Sequence, residues 1–333
     1  MDRRTEARAA FLSPGEFWSS PLYQHLCPII AVDPYLLDIA ASARPGQVPS
    51  YALFGAVHAC VLAGPASPLG EYYQSVCGDQ YRRPDAMTGS TFLAFVRANE
   101  PTIRELLSTR LVQTNHVQRA VGLRLGLARI ADRLTEPAHL LEIGCSAGLA
   151  LRHALYGYEL GGQRYGSVAS PVQLRTEWRG GSPMADLDRI PVMASTTGID
   201  LNPLDPGAES DRRWLEALVW PEDRAKAALL RSALAVAASE PVRILAGDAI
   251  ELCPQWADEV PADAPRIVFH CATRMHVPVT RRAAFDRAIE SAGVTGPLFR
   301  IAIEGDGLQI SGPDGDLIDR YEVDGHLAWI AHD

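Results

Sequence analysis

The feature that most restricts this chain's fold is a change of rhythm after Pro137. Beyond it, short apolar runs at 139–143, 197–201, 242–246, 266–271 and 298–303 alternate with amphipathic stretches at 211–219, 222–238 and 280–292. Strands separated by helices need crossover connections, and crossovers build a parallel sheet with helices on both faces. Two last strand candidates, 308–310 and 326–332, follow with no helix between them, which predicts an antiparallel pair closing the sheet. The fold class is therefore α/β: a doubly wound, mostly parallel, Rossmann-like sheet.

The residues before the change read differently. Segments at 35–43, 51–63 and 92–107 carry apolar residues at three- and four-residue steps between Pro and Gly punctuation. A further helix is expected from Asn115, with Val117, Val121 and Leu125 on one face and Leu123, Leu127, Ile130 and Leu134 on another, capped by Thr114 or Asn115. This divides the 333 residues into a helical domain, 1–135, and an α/β domain, 136–333. Within the second, residues 156–195 interrupt the alternation. They are Gly-rich, and Val172, Leu174, Thr176 and Trp178 alternate as in a half-buried strand, so a small β-rich insertion is expected there.

Charge excludes one class of partner. Residues 1–135 carry 13 basic and 11 acidic side chains, whereas 136–333 carry 18 and 29. A domain at −11 is a poor counterion for phosphate, so no nucleic-acid partner is expected. The start of the chain shows no signal-peptide pattern, and the longest apolar run, 51–63, holds His58 and is too short to span a bilayer. The six cysteines form no CxxC pair, and no metal site is predicted; a reducing, cytoplasmic setting follows. A small-molecule substrate is the expected partner.

The strongest motif is the stretch 140–149, an apolar strand running into Glu142-x-Gly144-x-x-x-Gly148 and a helix start. In an α/β sheet, ligands bind in the crevice at the carboxyl ends of the strands. Gly144 permits a tight turn and close approach of a ligand, and Gly148 allows a helix to pack near the strand. A dinucleotide fingerprint needs GxGxxG; this turn lacks the middle glycine and places a carboxylate at the strand end instead. It suits a ligand with an amino-acid moiety and a cation. Asp200 ends the second strand, where it can accept from ribose hydroxyls; Asp248 and the amide of Ala249 follow the third, facing an adenine; His270 ends the fourth.

These residues resemble the class I S-adenosylmethionine-dependent methyltransferases. The chain is also similar, across nearly its whole length, to the bacterial domain of unknown function 2332 family. That likeness rests on 113–119, Gly144-Cys-Ser-Ala-Gly-Leu149, 198–205, 214–221 and Gly247-Asp-Ala249. The chain departs from the family pattern at His116, Gln118 and Ala150, where the pattern has Glu, Gly and Asn. The resemblance implies S-adenosyl-L-methionine as cofactor, held by Glu142, Gly144, Cys145, Ser146, Gly148, Asp200, Leu201, Asp248 and Ala249. It implies methyl transfer to an unidentified small molecule, or binding of the cofactor or its demethylated product without transfer.

Among candidate roles, His270 is the best placed base, set against a core histidine satisfied by its neighbours. Cys145 is expected to offer its backbone amide, not its thiol. Gln113, Asn115 and His116 are expected at the cofactor or substrate mouth. Arg119 and Arg274 are carboxylate-binding candidates there, against surface ion pairing as the alternative.

Overall fold

The computed structural model describes residues 2–64, 66–113, 115–180, 185–305 and 307–332; Thr114, a cap candidate, lies outside them. The chain forms two compact units, 1–114 with 207–231, and 115–206 with 232–333.

The first unit is helical. Its helices include Arg3–Phe11, Pro21–Ile30, Pro34–Ala40, Pro49–Ala63, Thr88–Ala98, Glu100–Thr109 and Glu209–Ala217. Proline opens three of them, where its missing N–H costs nothing. The Asp33 carboxylate caps one by accepting from the amides of Tyr35 and Leu36 at 2.9 and 3.0 Å. Pro49–Ala63 is buried almost all round and forms the centre of this unit, so it shows no polar face. His58 within it is a satisfied core histidine. One ring nitrogen lies 3.0 Å from Ala217 O and the other 2.8 Å from Ser75 Oγ, and burial pushes its pKa down to about 4.

Among the described residues the second unit holds eleven strands: β1 (Ala138–Ile143), β2 (Gly157–Leu160), β3 (Gln163–Gly166), β4 (Gln173–Gly180), β5 (Met193–Asp200), β6 (Arg243–Ala246), β7 (Arg266–Cys271), β8 (Leu298–Glu304), β9 (Gly307–Ser311), β10 (Leu317–Val323) and β11 (Trp329–His332). They form one mixed sheet in the order β3-β2-β4-β11-β10-β9-β8-β7-β1-β5-β6. At its heart β6, β5, β1, β7 and β8 are all parallel, so their carboxyl ends share one edge. The chain reverses direction of growth between β1 and β7, which opens a crevice at that edge.

Helices cover both faces of this core. On one face Leu141, Ile143, Val268, Trp256, Phe285 and Ile289 pack together, bringing helices Ala249–Glu259 and Arg282–Ser291 onto the sheet. On the other, helix Ala120–Ile130 lies so close that a Cβ at Gly126 would sit 2.7 Å from Ile301. That helix therefore belongs to the sheet's unit, although it precedes residue 135.

The stretch expected as a β-rich insertion, 156–195, carries β2, β3 and β4, which extend the same sheet, β4 pairing in parallel with β11. Three expectations are corrected. Three antiparallel strands follow β8, not two. The Gly turn leads into a kinked 3-10 segment, Ala150–Leu155, in place of an α-helix. The helix expected from Asn115 starts at Ala120, after a 3-10 turn Val117–Arg119, and neither has a side-chain cap.

Candidate functional site

The carboxyl edge of the five parallel strands gathers Glu142, Gly144, Asp200, Asp248, Cys271 and Glu304. Glu142 alternates with Leu141 and Ile143, which face the helices on the opposite side, so its side chain enters the sheet on the face of Gly198, its register partner. It is buried, and its Oε2 has no hydrogen-bond partner. Burial, aided by the Asp200 charge and opposed by Arg152, pushes its pKa up to about 8. Four residues on, in the Gly turn, the Ser146 hydroxyl is also buried and unpartnered.

The turn itself is held from both sides. Gly144 adopts φ +77°, and a Cβ there would collide with Thr273 Oγ1, which donates to Ile143 O at 3.0 Å. Gly144→Ala combines a left-handed backbone with that collision, and is expected to cost about 2–4 kcal/mol in urea unfolding. The amides of Gly144 and Cys145 both donate to Ile199 O, at 2.8 and 3.3 Å. The Cys145 amide is thus spent on β5 and is not presented to a ligand as expected; its thiol is buried where Gly198 leaves room.

Asp200 accepts from the Ser146 amide at 2.7 Å and the Asn202 amide at 2.8 Å, so it fastens the Gly turn to the end of β5. Ser146 takes φ +51° to make that bond. Gly148, at φ +64°, does not admit a helix as its spacing suggested. It leaves space for Arg152, whose Nη1 would lie 2.6 Å from an added Cβ. The buried Arg152 guanidinium donates to Ala147 O (3.0 Å), Gly148 O (2.6 Å), Ala237 O (3.2 Å) and Glu240 O (3.1 Å). Its sequence position gives no sign of this, because an arginine after a glycine turn reads as a solvated helix residue.

Leu201 is 75 % exposed beside Asp200, an apolar surface at the crevice. Asp248 caps helix Ala249–Glu259 by accepting from the Ile250 amide at 2.9 Å, and it also pairs with Arg281 at 2.9 Å. Ala249 begins that helix and packs against the sheet core.

His270 is fully buried with both nitrogens engaged. Arg300 Nε donates to its Nε2 at 2.9 Å, which leaves the proton on Nδ1, facing Glu304 Oε1 at 2.8 Å. Burial lowers its pKa, and the network fixes the neutral ring. It therefore presents no nitrogen to a substrate, and the core reading describes it. Glu304, a strand-end acid that sequence reasoning passed over, is the hub of this network. Its Oε1 also accepts from the amides of Thr273 (3.0 Å) and Arg274 (2.9 Å), so it hangs the loop after β7 over the Gly turn. Arg274 is committed to Asp286, at 2.8–3.1 Å, instead of standing ready for a ligand carboxylate.

The mouth candidates divide between the units. Gln113 belongs to the first; Asn115, His116 and Arg119 belong to the second. The Asn115 amide nitrogen is buried without a partner. The His116 ring lies 4.4 Å from that of His326, and Arg119 reaches Gly325 O only at 3.3–3.4 Å. Burial pushes the pKa of the Cys271 thiol up, with the Arg119 cation opposing the rise and the Glu142 and Glu304 carboxyls adding to it. No group of His, Cys, Asp or Glu among the described residues could hold a metal ion, and no helix among them is long and apolar enough to cross a membrane.

A family model described as an uncharacterized protein conserved in bacteria (DUF2332) matches residues 8–329. The chain belongs to this family. No curated protein matches it. The match covers both units, so the helical unit and the sheet are parts of one family architecture.

Proposed function

We propose that this member of the family binds S-adenosylmethionine at the carboxyl edge of β1, β5 and β6 and transfers its methyl group to a small molecule. The reading rests on one observation: Glu142 Oε2, at the end of β1, is buried with no partner, as is the Ser146 hydroxyl in the turn that follows. A buried acceptor without a donor is costly, and an ammonium group satisfies it. The fit of the other residues supports the same ligand. Arg119 would hold its carboxylate and Asp200 its ribose hydroxyls, and the exposed Leu201 would offer the base an apolar surface. S-adenosylmethionine, when bound, supplies an electrophilic methyl group on a sulfonium. The chain's own residues orient it and exclude water, and positioning of this kind carries much of the acceleration in such a transfer.

Calorimetry with S-adenosylmethionine, its demethylated product and NAD tests the reading. Both methionine-derived ligands should bind and NAD should not. At pH 7 the Glu142 carboxyl is largely protonated, since its pKa is about 8. An ammonium favours the ionised form, so binding should release up to about one proton. Titrations in phosphate and in Tris, whose ionisation heats differ, would show it; the same apparent enthalpy in both buffers would count against Glu142 as the ammonium site. The sealed His270 favours a second reading, binding without transfer, because the expected base is occupied on both nitrogens. Binding without turnover across a broad panel of acceptors would support it.

A further inference from the structure

We infer that Arg281, held by its ion pair with Asp248, donates to a ring nitrogen of a purine base and is a specificity-determining residue of this crevice; the inference rests on the nucleoside reading above, which already sets Asp248 against the adenine. Arg281 ends the 3-10 turn Val279–Arg281 that follows the loop after β7, and its Nη2 stands 2.9 Å from Asp248 Oδ2. Asp248 directly follows the turn after β6, and the Gly247 amide ties that turn to Asp200 O at 2.9 Å. The pair thus lies at the same carboxyl edge as Asp200, which the exposed Leu201 follows.

Neither partner is exhausted by the contact. A guanidinium carries five N–H donors and Arg281 is half exposed; a carboxylate offers about four acceptor positions, and Asp248 gives one to Ile250 N and one to Arg281. Side by side they present an acceptor and a charged donor. An adenine edge carries the complementary set: the 6-amino group donates, and the adjacent ring nitrogen, N1 or N7, accepts. Asp248 takes the amino proton, and Arg281 donates to the ring nitrogen. Leu201 lies against the face of the base, which needs no hydrogen bonds.

The test uses the full chain, with S-adenosylhomocysteine and its 1-deaza and 7-deaza counterparts titrated into wild type, Arg281→Met and Arg281→Lys. In wild type one deaza ligand should bind about tenfold more weakly than its parent, the worth of one hydrogen bond to a charged group. In Arg281→Met that deficit should vanish, because the donor is gone; Arg281→Lys should restore part of it. A role in the fold alone would weaken all three ligands together and leave their ratios unchanged. Equal binding of all three to wild type, or a deficit that survives in Arg281→Met, overturns the inference while leaving the nucleoside reading intact. No binding of S-adenosylhomocysteine to wild type at millimolar concentration overturns both.

Discussion

Glu142→Gln should make the protein more stable above neutral pH, and should weaken ligand binding. In the folded chain the Glu142 pKa is pushed up to about 8 by burial and by Asp200. In the unfolded chain it returns to the ordinary value of about 4.3. Between those values the native state holds a proton that the unfolded state has lost, so wild-type stability falls as pH rises through this window. The accumulated loss is on the order of 4 kcal/mol by pH 8. Glutamine keeps the shape and cannot ionise. The two proteins should have similar stability near pH 4, and the variant should gain progressively from there to pH 9.

Urea unfolding at pH 5, 7 and 9 reads this difference directly. Other carboxylates titrate in both proteins and cancel. Parallel pH profiles would show that Glu142 is not ionised at a cost in the native state. Binding should move the other way: without the carboxylate, the affinity for S-adenosylhomocysteine should drop about tenfold or more, since the variant offers an ammonium only a neutral oxygen. A residue that destabilises the empty protein and strengthens binding is one retained for the ligand.

The parallel core was legible because its central strands, β1 and β7, are buried on both faces and all five stand in the sequence as compact apolar runs. The Gly turn was legible for a related reason: positive φ at Gly144 and Gly148 leaves a residue signature. What stayed hidden was set by distant partners. β10 carries Asp319, Arg320 and Glu322 and does not read as a strand, yet Asp319 meets Arg129 at 2.9 Å and His332 at 2.7 Å. Helix Ala249–Glu259 contains Pro254, which argues against a helix in sequence. The pairing of β4 with β11 joins segments some 150 residues apart, and no local pattern encodes it. In the site, the identities of the strand-end acids were readable and their partners were not. Asp200 spends itself partly on Ser146, Asp248 on its helix, and His270 wholly on Arg300 and Glu304.

Arg152 shows how far such a hidden partner can matter. Arg152→Met keeps most of the volume and removes the guanidinium bonds to four backbone carbonyls, those of Ala147, Gly148 and Ala237 in buried surroundings and that of the exposed Glu240. Buried carbonyls left without donors each cost about 1–3 kcal/mol, with partial relief from water or relaxation. The variant should therefore lose about 3–5 kcal/mol in chemical unfolding. It should also shift the site electrostatically. The guanidinium opposes the rise in the Glu142 pKa, so its removal should move that pKa further up. Proton release on binding the methionine-derived ligand should then extend to higher pH than in wild type. Arg152→Lys should restore the charge and part of this pH dependence, while still missing the fork that spans the turn and residues 237–240. If Arg152→Met unfolds at wild-type urea concentration, the guanidinium does not hold the turn. If the variant is destabilised but its binding keeps the wild-type pH dependence, Arg152 supports the backbone without setting the charge state of Glu142.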